Sequence, residues 1–61
     1  MFNVAAQYCD GSISLGHFTD YHAAMRSFQA LVVEPRTIEV EINNRSAVLV
    51  IWSLYPEAIR A

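Results

Sequence analysis

The sequence predicts an α+β fold, a β-β-α-β-β two-layer sandwich with one helix packed on one face of a four-stranded, mostly antiparallel sheet. Three observations lead there. Residues 2–18 alternate apolar and polar on either side of an Asp-Gly pair. Residues 21–32 carry apolar side chains at helical spacing. Residues 37–54 alternate, turn at a polar tetrapeptide and continue as an apolar run. At 61 residues the chain has room for a single domain, 1–61.

The first strand is carried by Phe2, Val4, Ala6 and Tyr8, which alternate with Asn3, Ala5 and Gln7. Asp10-Gly11 follows, the preferred filling of a two-residue hairpin turn whose central positions both need positive φ. Ile13, Leu15 and His17 then alternate with Ser14 and Gly16. Pairing Cys9 with Ser12 sets Tyr8 opposite Ile13 and Ala6 opposite Leu15, so both apolar sets share the core face. Thr19 or Asp20 can accept from free backbone N–H groups and start a helix. Tyr21, Ala24, Met25, Phe28, Leu31 and Val32 form its buried stripe, with His22, Arg26 and Gln29 opposite. Pro35 disfavours helical geometry at Glu34, so the helix ends near Val33.

The third strand alternates Thr37, Glu39, Glu41 and Asn43 with Ile38, Val40 and Ile42. Asn43-Asn44-Arg45-Ser46 is turn chemistry. Residues 47–54 form a last strand that is apolar on both faces, which points to a central place in the sheet. Tyr55-Pro56-Glu57 suits the start of a short terminal helix.

Composition narrows the function. Apolar residues make up 54% of the chain and charged residues 16%, against about 45–50% and about 25% in ordinary domains. Such a chain is ordered and carries more apolar surface than a small monomer needs. The net charge is −2, from four arginines and six acids, and Arg26, Arg36, Arg45 and Arg60 are scattered. No basic patch for nucleic acid is expected. No membrane span is expected either, since the longest apolar run, 47–52, is far below the ~20 residues a span needs. Met1-Phe2-Asn3-Val4 does not read as a secretory signal, and Cys9 is the lone cysteine, which fits a cytoplasmic protein.

The residues that carry chemistry are few. Cys9, His17 and His22 fit no metal-ligand spacing, so neither a metal nor another cofactor is expected. A Cys–His nucleophile with Asp10 or Asp20 would need an oxyanion site and a deep pocket, for which a two-layer domain has little room. The chain is read as a non-enzyme.

The sheet face away from the helix is the candidate site. A hairpin loop of two or four residues directs Ile38, Val40 and Ile42 to the helix together with Ala47, Leu49 and Ile51. The opposite face then receives Val48, Val50 and Trp52 beside Glu39 and Glu41, with Phe18 from the first hairpin. A three-residue loop or a bulge would invert this and send Trp52 to the core. The expected interface is therefore Val48, Val50, Trp52, Glu39, Glu41 and Phe18, an apolar patch rimmed by acids. With no helix to cover it, the patch suits a two-fold homodimer and a larger protein partner. The alternative is a nucleic-acid accessory protein that stacks bases on Tyr8, Phe18, Trp52 or Tyr55. This plan, a small acidic β-β-α-β-β domain with an apolar sheet face, is similar to that of several phage-encoded inhibitors, anti-CRISPR proteins among them. The resemblance implies an inhibitor that works by occupying a surface of its target.

Overall fold

The computed structural model describes residues 1–54. The expected terminal helix and Tyr55 lie outside the described residues. The elements are β1 (Phe2–Tyr8), β2 (Ile13–Phe18), α1 (Tyr21–Val32), β3 (Thr37–Asn43) and β4 (Val48–Ser53). They form one four-stranded sheet in the order β2-β1-β3-β4, with every neighbouring pair antiparallel. The two-layer α+β fold is thus the one the sequence predicts.

The helix forms where its stripe requires. Asp20 caps it, its carboxylate accepting from the His22 N–H at 3.4 Å, and Val33 closes it by donating its N–H to the Leu31 carbonyl. Ala24 and Phe28 are buried, and Met25, Leu31 and Val32 pack around them. The helix lies mainly over β3 and β1, with a smaller contact to β2. The core it covers is Val4, Ala6, Val40 and Ile42 from the two central strands. Phe2 meets Tyr21 edge to face, with ring centroids 5.5 Å apart.

β4 is an edge strand, which corrects the central place expected for it. Its two apolar faces are used differently. Val50 and Trp52 pack against the core cluster and, with Phe28, Val32 and Val33, line a cleft beside the helix. Leu49 and Ile51 are exposed.

Both hairpins differ by one residue from the expected pairing, and each difference has a local cause. In the first, Asp10 Oδ1 accepts from the Ser12 N–H at 2.9 Å and from the Ser12 hydroxyl at 2.6 Å. This side-chain turn needs no positive φ at Asp10, and among the described residues only Gly11, at φ 89°, has one. The loop is therefore Cys9-Asp10-Gly11, closed by the Tyr8 N–H to the Ser12 carbonyl at 2.9 Å. Ile13 faces Gln7 and Leu15 faces Ala5, so both aliphatic residues point away from the helix. Phe18, opposite Phe2, packs on the core side instead. Gly16 makes room for its ring, because a Cβ there would lie 3.1 Å from Phe18 Cε2.

In the second hairpin the loop has the expected length, with Asn44 Oδ1 accepting from the N–H groups of Ser46 and Ala47. Asn43 pairs with Val48 as the even loop demands. A bulge then makes Leu49 an extra residue, and beyond it Ile42 pairs with Val50 and Val40 with Trp52. Val50 and Trp52 accordingly join the helix side, which corrects their assignment to the open face. Thr37, expected beside Glu39 and Glu41, is buried next to a register shift between Gln7 and Tyr8.

One exposed cluster ties the first turn to the α1–β3 connection. Arg36 donates to Asp10 Oδ2 at 2.8 Å and lies over the Tyr8 ring at 5.6 Å, while the Cys9 N–H donates to the Arg36 carbonyl.

Candidate protein-interaction surface

Register fixes which side chains share the open face. Three cross-strand rows run from β2 to β4: Ile13–Gln7–Glu39–Ser53, Leu15–Ala5–Glu41–Ile51 and His17–Asn3–Asn43–Val48. Aliphatic residues stand on the two edge strands, and polar and small ones occupy the middle. Ile13 is 76% exposed, Leu15 61%, Val48 54%, Ile51 48% and the bulged Leu49 43%. No described helix covers them, because α1 lies against the opposite face.

The third row is a hydrogen-bonded ladder. Asn3 Nδ2 donates to Asn43 Oδ1 at 3.0 Å, and Asn43 Nδ2 donates to Glu41 Oε2 at 2.7 Å. Asn3 Oδ1 is 2.6 Å from His17 Nδ1. An amide oxygen only accepts, so His17 carries a proton on Nδ1 and donates. Every donor thus points the same way, from the β2 edge towards the Glu41 carboxylate. The row holds that carboxylate in one orientation.

Glu39 and Glu41 stand beside Gln7 and Ala5 near the middle of the face. The described ion pair of the chain is Arg36 with Asp10, away from them. Among the described residues neither glutamate has a cation partner. Ala5 is the small residue between Leu15 and Glu41, and it forms the floor of a shallow slot walled by Ile13 and Leu15 on one side and the glutamates on the other.

The expected interface set is thus divided. Glu39, Glu41 and Val48 lie on the open face, and Phe18, Val50 and Trp52 lie on the helix side. Tyr8 joins the latter, its hydroxyl 3.2 Å from Ser14 Oγ. The open face of the described residues therefore carries no Phe, Tyr or Trp on which a base could stack. Ile13, Leu15, Leu49 and Ile51, expected on the core side, are exposed instead. The signal that could have moved the first pair is Ser12, which competes for the Asp10 side chain and lengthens the turn.

No family model, characterised protein or solved structure matches the chain.

The other candidates remain apart. Cys9 is an exposed free thiol in the turn, His22 is on the exposed side of the helix, and His17, expected on the core side, is on the open face in the ladder. Among the described residues no group of three or more His, Cys, Asp or Glu could hold a metal ion. No described helix is long and apolar enough to cross a membrane.

Proposed function

We propose that the chain is a non-enzymatic interaction module that binds and blocks a larger protein through the open face of its sheet, in the manner of a small phage inhibitor. The observation that carries this reading is a sheet face with exposed aliphatic residues on both edge strands and no described element over it. Exposed apolar area of this kind is stabilised when a partner removes it from water, by roughly 25 cal/mol per Å². Cys9, His17 and His22 supply no nucleophile and base in a common pocket, so the reading needs no catalytic step.

The same reading includes a homodimer centred on β4. Val48–Ser53 carries no charge, its neighbours Val33 and Leu54 are exposed, and the cleft at Val50 and Trp52 continues the apolar surface around the edge. Affinity capture from the native host lysate tests the binding role. The wild-type chain is expected to retain a partner that Leu15→Arg loses while keeping its circular dichroism spectrum. Retention of the same partner by Leu15→Arg would remove the open face from the proposal.

A further inference from the structure

We propose that the open face takes a protein segment bearing arginine or lysine at alternate positions, its side-chain stems over Ala5 and its cationic heads at Glu39 and Glu41. This inference rests on the interaction reading above and names the partner's chemistry.

Glu39 and Glu41 are two residues apart on one strand, so their side chains project in the same direction about 7 Å apart. An extended partner segment repeats its side chains at that same interval. The slot beside the glutamates is walled on its far side by Ile13 and Leu15 and floored by Ala5. Strand spacing sets Leu15 about 10 Å from Glu41 across Ala5, a span that the stem of an arginine fills. Arginine suits such a place because its methylenes pack on aliphatic walls while its planar head donates to carboxylates. Glu41 is already oriented by Asn43, so binding has less side-chain freedom to remove there.

The sign of the face excludes the other occupants. A second copy seated face to face would bring both acid pairs towards each other in an interface that removes water, and unpaired like charges oppose that. A phosphate backbone or an anionic lipid headgroup meets the same repulsion. The charge that completes the surface is positive, and the described arginines of this chain are elsewhere: Arg36 on Asp10, Arg26 on the exposed side of the helix and Arg45 in the β3–β4 turn.

The test is an amide-shift NMR titration of the full chain with the peptide Ac-Ser-Arg-Thr-Arg-Thr-NH2. A matched peptide with citrulline, the neutral isostere, replaces both arginines, and a third carries glutamate there. The arginine peptide is expected to shift the amides of Ala5, Ile13, Leu15, Glu39 and Glu41, and to bind about tenfold more tightly than the citrulline peptide. Glu39→Gln with Glu41→Gln should abolish the difference, and rising salt should weaken the wild-type interaction. The lysine double variant, Glu39→Lys with Glu41→Lys, should prefer the glutamate peptide. Equal binding of arginine and citrulline peptides, or no shift on this face, overturns the inference. So does a larger shift of these amides by a single-stranded oligonucleotide or by phosphatidylglycerol vesicles. Lysate capture separates this failure from failure of the interaction reading. If Leu15→Arg loses the partner and the glutamine double variant keeps it, the charge inference fails alone. If Leu15→Arg keeps it, both fail.

Discussion

Thr37 is buried, and its hydroxyl has no hydrogen-bond partner among the described residues. A buried unpaired hydroxyl costs about 1–3 kcal/mol of desolvation, while the β-branched shape still serves the strand. Thr37→Val keeps the shape and removes the orphan, so it should stabilise the fold by about 1 kcal/mol, read as a rise in the urea midpoint with an unchanged slope. Asp10 presents the opposite case. The Ser12 hydroxyl and backbone N–H donate to its carboxylate and Arg36 adds a nearby positive charge, so its pKa is lowered from the ordinary 3.8. A carboxyl depressed in the folded state contributes stability that is present above the unfolded value. That contribution is lost as pH falls through the folded one. Stability measured from pH 5 downwards should therefore decline through that window. Ser12→Ala should flatten the decline and return the Asp10 titration towards 3.8. At this scale the sequence was legible where burial follows from one pattern, as for Phe28 or Ile42. It was silent on Thr37, because a threonine beside two strand glutamates looks solvated until the register shift at Tyr8 is known.

Among the elements, α1 and β3 were legible because each has one clean period: 3.6 residues for the stripe through Ala24 and Phe28, two for Ile38, Val40 and Ile42. The hairpins were not. Their faces depend on a count of one residue in the turn or in a bulge, and side chains cannot settle it when both choices bury something apolar. Leu49 and Ile51 suit the core as sequence, and so do Val50 and Trp52. The bulge favours the larger pair, since Trp52 buries more apolar area than Ile51. Half of the candidate surface was lost to this parity, while Glu39 and Glu41 were placed correctly because β3 is regular. The first turn can be tested directly. Gly11 sits at φ 89°, and nothing lies within 4 Å of a Cβ added there, so Gly11→Ala meets backbone strain alone. It should cost about 1–2 kcal/mol in equilibrium unfolding, and Gly11→Asn less, since asparagine tolerates that region better.

For the whole molecule, 61 residues carry a stability of roughly 3–9 kcal/mol by the usual per-residue range. The buried apolar core of the described residues is small: Val4, Ala6, Ala24, Phe28, Val40 and Ile42. A chain so close to the margin benefits from a second copy, whose binding adds to the stability of the folded form. Sedimentation equilibrium should find the proposed dimer at micromolar concentration, and Leu49→Lys should shift it to monomer without altering the circular dichroism. A wild-type chain that stays monomeric at high micromolar concentration would leave β4 for the partner protein. Trp52→Glu cannot serve as the surface variant, because Trp52 packs on the Val40 side and its loss should unfold the domain.

The bulge at Leu49 has a consequence for fibre formation. Residues 47–52 are uncharged, rich in β-branched and aromatic side chains, and placed on a sheet edge, which is the composition of segments that stack into cross-β fibrils. A regular strand there would offer a straight template for one chain after another. The extra residue bends and twists the edge, so a second chain cannot extend the ladder indefinitely. Deleting Leu49 leaves Asn43 opposite Val48 and Ile42 opposite Val50, now without interruption. The deletion variant should keep its fold and, on agitation, grow thioflavin-positive fibrils under conditions in which the wild-type chain does not. Fibril growth at the same rate in both chains would mean that the bulge gives no such protection.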